Sequence, residues 1–299
     1  MHAALGTRAR RGLLLSIPLL AASLIVSTPA AHAASPAPVT LGAADPFAIL
    51  AGTPAITDVP NSVIRGNVGL SPATGAGIGV TCSEMVSGTI YTVDAAGPLP
   101  CRVEDPTGTL TPAKNALTAA YIDVAGRTPV STVPTELGGT RKFPGVYDSA
   151  ATTFGITAGA GPLILDAQGD PNAVFIFEMA AAGTGLTAGP GSQVQLAGLA
   201  QACNVFWRVT SATIDTTAVF KGSILALTSI TVNTGANVEG RLLARNGTVT
   251  LQQNTVTRSV CAAATPPPTV PPTPPTTVPP TPPASPAAPA VPAVPTFTG

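Results

Sequence analysis

Asp166 and Asp170 stand four residues apart, the sequence's nearest approach to an acid–base pair. Cleaving a glycoside requires two carboxyl groups facing each other across a cleft. Asp170-Pro171 instead reads as a turn, and Asp166 ends an apolar run where its side chain can bond local backbone. Both are expected to be structural. Nucleophilic chemistry has less to build on. The only histidines, His2 and His32, fall in an N-terminal segment with the features of an export leader. Once that segment leaves, no Ser-His or Cys-His pair and no His-based zinc site can form. The chain is therefore expected not to be an enzyme and to use no cofactor.

The remaining reactive residues are Cys82, Cys101, Cys203 and Cys261. An even count in an exported chain implies two disulfides, for which three pairings exist. Cys82–Cys101, closing a short loop, and Cys203–Cys261, tying down the last strands, are the expected pair. A four-cysteine metal site is the alternative, but it lacks any C-x-x-C spacing. Export itself rests on Arg8, Arg10 and Arg11 ahead of an apolar run from Leu13 to Val26, then Ala31-His32-Ala33 as a cleavage site. That run is short for a membrane span. The expectation is a leader over 1–33 and a secreted or cell-surface product. Its removal takes three of 14 basic residues and none of 14 acidic ones, leaving 11 against 14, or −3. This excludes the basic footprint of a nucleic-acid binder.

What the sequence offers in place of catalytic groups is threonine on strands. Residues 213–226 realign on 231–244 at an offset of 18, with Thr213, Thr216, Ala218, Gly222, Leu225 and Ala226 recurring. Eighteen residues divide into three sides of about six, each a short strand plus a corner, which makes one triangular coil of a β-solenoid. A hairpin sandwich would need more turns like Asn246-Gly247. With Ile214, Val232 and Leu251 pointing in, alternation turns Thr213, Thr231 and Thr250 outward in one column. Asp215, Asn233 and Gln252 form a second. Trp207, amid Val205 and Phe206, is expected in the core. Arg241 and Arg245 are expected to satisfy buried carbonyls or pair with Glu239.

The flanking elements are a helix and two segments without a core. Thr111 suits an N-cap and Pro112 the first helical position. Ala113, Ala116, Leu117, Ala120, Tyr121 and Val124 then make one apolar face, and Gly126 ends the helix. Residues 34–40 read as a short flexible leader, and 262–299 as a proline-rich, uncharged rod or spacer. The folded domain is expected over 41–261.

Several blocks resemble the ice-binding proteins of the DUF3494 type. They are Phe47-Ala48-Ile49-Leu50-Ala51-Gly52, Gly66-Asn67-Val68-Gly69-Leu70-Ser71-Pro72, and the stretches 165–177, 202–207, 224–231 and 240–247. The resemblance implies a mainly β fold: a discontinuous, triangular right-handed β-solenoid with one long helix (112–125) alongside and a capping insertion at 81–101. It also implies a secreted monomer that meets ice or ordered water through one flat face. Thr234-Gly235-Ala236-Asn237 matches the family's Thr-Ala/Gly-x-Thr/Asn pattern, and Thr216 matches its first position. The face is expected to comprise Thr213, Asp215, Thr216, Thr217, Thr231, Asn233, Thr234, Asn237, Thr250, Gln252 and Asn254. A second expectation is a cell-surface adhesion or structural module of the same fold, with cell-wall polysaccharide met through the tail.

Overall fold

The computed structural model describes residues 35–105, 108–179 and 185–262. The expected export leader, and the proline-rich segment from residue 263 onward, lie outside them. Every strand pairing named is parallel. Parallel neighbours cannot be joined by tight hairpins. Here the chain reaches its next neighbour by travelling round the two other sides of a three-sided coil, as the 18-residue repeat requires.

One face carries Phe154–Ile156, Leu186–Ala188, Ala212–Ile214, Ile230–Val232, Val249–Gln252 and Ile56–Val59, paired in that order. A second carries Arg141–Lys142, Leu163–Asp166 and Val194–Ala197, and continues through 219–221, 237–239, Thr255–Thr257 and Val63–Arg65. The third contains Gly145–Ser149, Phe175–Glu178, Val205–Val209, residues 222–226 and 240–244, Phe47–Ala51 and Asn67–Leu70. The strands Val219–Ala226 and Asn237–Ala244 bend round a corner, which merges two faces into one 13-stranded sheet.

The stack is discontinuous in sequence. Beyond Asn237–Ala244, one coil is completed by Val249–Gln252 and Thr255–Thr257 from the C-terminal side and Phe47–Ala51 from the N-terminal side. The following coil, Ile56–Val59, Val63–Arg65 and Asn67–Leu70, is wholly N-terminal. The segment expected as a capping insertion continues the stack, because Met85–Ser87 and Ile90–Thr92 pair onto Val63–Arg65 and Asn67–Leu70.

Helix α1, Leu110–Ala125, then carries the chain back along the third face. Sixteen residues at 1.5 Å span ~24 Å, about five strand spacings. Its buried stripe of Leu110, Ala113, Leu117, Ala120, Tyr121 and Val124 packs on Phe47, Leu50, Val174, Ile176, Phe206, Leu225 and Leu243. Burying each large apolar side chain there contributes about 1.5–3 kcal/mol. The helix begins before the expected Thr111 cap. Asp105 accepts hydrogen bonds from the amides of Gly108, Thr109 and Leu110, so the first turn is satisfied from upstream. Pro112 still lies within that turn, where its missing N–H costs nothing.

Residues 35–40 depart from the expected flexible leader. The Ser35 hydroxyl accepts the Val174 amide at 2.9 Å, Arg127 donates to the carbonyls of Ala37 and Pro38, and Val39 is buried. Inside the coils, Tyr147, Phe177 and Trp207 stand in register, with the Phe177 and Trp207 rings stacked at 4.0 Å. The Trp207 indole N–H donates to the Lys221 carbonyl, so this large ring is buried with its polar atom satisfied.

Both expected disulfides are present, Cys82–Cys101 and Cys203–Cys261, with Cα atoms 5.5 and 5.4 Å apart. The second closes a 58-residue span and ties the end of the last coil to its third-face neighbours. Replacing Cys203 and Cys261 together by serine is expected to lower stability by about 2–4 kcal/mol. Urea unfolding of oxidised protein and of the double variant checks this. Coincident midpoints would sink it.

Candidate functional site

The three faces differ in what they offer to a partner. The third is covered by α1. The second shows Arg141, Ile164, Gln195, Lys221, Glu239, Thr257 and Arg65 along one outward column, a mixed row with a Lys221–Glu239 ion pair across it. The first face is different in kind. Its inward residues, among them Phe154, Leu186, Ile214, Ile230, Val232, Val249 and Ile56, join the interior core. Its central outward column runs Gly155, Thr187, Thr213, Thr231, Thr250, Thr57 in unbroken parallel register. Thr213, Thr231 and Thr250 stack as the alternation requires. Thr187 and Thr57 lengthen the column to five threonines. Both are legible as in–out alternation within Leu186-Thr187-Ala188 and Ile56-Thr57-Asp58, but neither lies inside the 18-residue repeat.

The second outward column holds Gly189, Asp215, Asn233 and Gln252, ending near Val59. Its polar groups are fixed by bonds between coils. Asn233 Nδ2 donates to Asp215 Oδ1 at 3.0 Å, Thr234 Oγ1 to Gln252 Oε1 at 3.1 Å, and Thr57 Oγ1 to Thr250 Oγ1 at 3.1 Å. The Asn233 amide and the Thr216 N–H hold the Asp215 carboxyl below its ordinary range, so it is charged. The corner beyond stacks Gly191, Thr217, Gly235 and Gln253, all at positive φ between 54° and 73°. Thr216 and Thr234 flank it and are exposed.

Two expected members do not belong to this wall. Asn254 is buried: its amide donates to the Asn233 carbonyl and its Oδ1 accepts the Gln252 N–H. The last corner is one residue shorter, and a buried amide fills the gap by satisfying loose backbone groups. Asn237 is exposed but opens the strand Asn237–Ala244, in register with Val219 and Thr255 on the second face.

The tempting carboxylates are spent locally. Asp166 accepts the Gln168 amide and pairs with Arg141, and Asp170 accepts the Asn172 amide. Arg241 is buried, bonding the Asp45 carbonyl and carboxylate, while Glu239 goes to Lys221 and Arg245 stacks over Tyr121 at 4.9 Å. No group of three metal-ligating side chains forms among the described residues.

An unusual pair closes one end of the wall. Asp58 takes the inward position below Leu251, where the other coils place apolar groups. Burial and a hydrogen bond to Glu84 push the Asp58 carboxyl up to about 7. Burial also raises Glu84, but donors from Asp58, Thr81 and Ser62 outweigh it and bring Glu84 down to about 2. Between those two values the pair shares one proton. A raised folded-state pKa contributes stability that is complete below the unfolded value and lost as pH rises through the folded one. Glu84 contributes in the opposite sense, losing its part only as pH falls towards about 2. Melting temperature is therefore expected to fall as pH rises from about 4 through about 7. Asp58→Asn should flatten that slope, since an amide keeps a donor towards Glu84 without titrating. Identical slopes for parent and variant in pH-resolved melting would refute the assignment.

Comparison with known proteins agrees with this geometry. The ice-binding-like family model matches residues 49–257. An ice-binding protein from Colwellia sp. is 40% identical over 251 residues, covering 80% of this chain and 90% of that protein. One from Flavobacterium frigoris (strain PS1) is 41% identical over 223 residues, covering 73% and 76%. Among solved structures, an ice-binding protein from an Antarctic biological consortium superimposes with a TM-score of 0.67 at 37% identity, covering 77% of this chain and 95% of that one. The Shewanella frigidimarina ice-binding protein 1 DUF3494 domain gives 0.67 at 31%, covering 76% and 100%. The match extends over most of the chain and over the coils that build the wall, and the chain belongs to the ice-binding-like family.

Proposed function

We propose that this chain binds ice, acting as an antifreeze and ice recrystallisation inhibitor, through the wall centred on Thr187, Thr213, Thr231, Thr250 and Thr57. The carrying observation is the unbroken register of those five threonines. Coils repeat at about 4.8 Å, and outward residues along a strand at about 6.7 Å, so hydroxyls and methyls form a flat two-dimensional array. Threonine is stiff at χ1, and the bonds between coils hold its polar neighbours, so little side-chain entropy is lost on contact. Each contact is weak, and the rigid repeat lets many form together. Thr213, Asp215, Thr216, Thr217, Thr231, Asn233, Thr234, Thr250 and Gln252 line or border the wall, with Thr187 and Thr57 added. No reaction is assigned to any of them.

The chain acts outside the cell as a monomer, with the proline-rich segment as a spacer that can meet cell-wall polysaccharide. Family membership supports an extracellular setting, and no helix among the described residues is long and apolar enough to cross a membrane. A second reading, an adhesion or structural module without ice activity, draws on the charged Asp215 and on Gly155 and Gly189, which leave one end of the two columns without side chains. Ice grown in purified protein distinguishes them. Faceted crystals that resist coarsening are expected. Round, freely coarsening crystals would leave only the second reading.

A further inference from the structure

The corner between the second and third faces is the edge of the triangle opposite the threonine wall. Arg65 ends the second-face strand Val63–Arg65, Gly66 makes the corner, and Asn67 opens the third-face strand Asn67–Leu70. A cleft of about 260 Å³ opens there, lined by Pro46, Arg65, Asn67, Ser87 and Arg258, with Gly66 and Gly88. Both glycines have positive φ, and a Cβ on Gly88 would stand 2.3 Å from the Gly66 carbonyl oxygen. The floor is therefore bare backbone because the corner leaves no room for side chains.

The walls are rich in donors. Asn67 Oδ1 already accepts the Thr89 amide at 3.1 Å, which leaves its Nδ2 hydrogens. No ion pair or side-chain hydrogen bond engages Arg65 among the described residues, and it is exposed. Arg258 gives Nη1 to Asp45 at 3.1 Å and keeps its other donors. That same Asp45 carboxylate is shared with buried Arg241, so one acidic group serves two guanidinium groups, Arg241 and Arg258. In a chain with only 9% charged residues this is a local excess of positive charge, with no carboxylate in the cleft lining. Guanidinium forks beside an amide and a hydroxyl match an oxyanion, for which charge-assisted hydrogen bonds are the strong ones.

We propose that this cleft binds an oxyanion, namely a carboxylate, sulfate or phosphate group carried by an extracellular acidic polysaccharide. The site lies on the edge facing away from the wall, so both can be occupied at once. A protein on ice would then hold an acidic polymer against it. The cleft stands independently of which residues touch ice.

The test uses ¹⁵N-labelled protein titrated with sodium phosphate and sodium sulfate, and retention on polygalacturonate, dextran sulfate and neutral dextran. Saturable shifts of the Gly66, Asn67 and Gly88 amides are expected, with retention on at least one acidic polymer, none on dextran, and weakening as salt is added. The retaining polymer identifies carboxylate or sulfate; shifts with phosphate and retention on neither would remove the polysaccharide assignment. Arg65→Gln should lower affinity about tenfold or more without moving the melting temperature. Ser87→Asp, which sets a carboxylate among the donors while leaving both arginines in place, should do the same. Ice shaping by either variant should match the parent. Absence of saturable shifts, or equal binding by Arg65→Gln, overturns the proposal.

Discussion

Thr231→Tyr is expected to abolish most ice activity while leaving the fold intact. Thr231 is the middle threonine of five, with Thr213 and Thr250 directly beside it in register. A phenol ring there stands several ångströms proud of neighbouring hydroxyls and methyls. It lifts the adjacent coils off a flat surface and breaks many weak contacts together. The backbone has no reason to object, since the position is an outward strand site and tyrosine is at home in strands. Stability should change by about 0.5 kcal/mol or less. Thermal hysteresis should fall steeply, because the protruding ring disrupts many weak contacts at once, and a loss of even about 1.4 kcal/mol is a tenfold loss of affinity. Thr255→Tyr is the control: it faces outward on the second face, beside Asn237 and Val63, and should leave ice activity unchanged. Undiminished hysteresis in Thr231→Tyr at an unchanged melting temperature would show that ice meets another face.

The two halves of that prediction were unequally legible. The realignment of 213–226 on 231–244 exposes the coil length, and alternation then orients Thr213, Thr231 and Thr250 without any structure. Alternation orients Thr57 outward as well, but nothing in it assigns Thr57 to this column. It reaches the column from 193 residues away, because chain segments from both ends share the last coils, and no local pattern announces such a join. Asn254 leaves the wall for a related reason. Periodicity counts residues, but the last corner is shorter, and one missing residue turns an outward amide into a buried one. Asn237 follows the family pattern's spacing, yet the corner at Gly235 turns it onto the next face. The helix α1 starts ahead of the Thr111-Pro112 signal because the capping carboxylate, Asp105, lies upstream of it. The residues Arg241, Asp166 and Trp207, each capable of chemistry in isolation, are spent on partners that only the folded chain brings near.

Gly240 and Gly235 lie in one coil, and replacing them should have opposite consequences. At Gly240 the coils touch backbone to backbone: a Cβ there would stand 1.8 Å from the Gly222 carbonyl oxygen, with the Gly222 carbonyl carbon at 2.5 Å. Gly222 itself has φ +112°, and a Cβ on it would meet the Val205 carbonyl oxygen at 2.8 Å. No rotamer change relieves a contact between main chains locked at the coil repeat, so two strands paired over eight residues would have to part. Gly240→Ala is expected to cost about 3 kcal/mol or more, or to prevent folding. Gly235 has positive φ, +73°, but its Cβ site is open, with only Thr217 Cγ2 at 3.7 Å. Its counterparts in adjacent coils, Thr217 at φ +58° and Gln253 at φ +54°, already carry side chains in the left-handed region. Gly235→Asn should therefore change stability by no more than about 1 kcal/mol, asparagine being among the residues that tolerate this conformation. Chemical denaturation of the two variants measures the difference directly. If Gly240→Ala melts with the parent, the corner yields more easily than main-chain contact at this distance allows, and the rigid spacing on which a flat threonine wall depends is not imposed by the coil backbone.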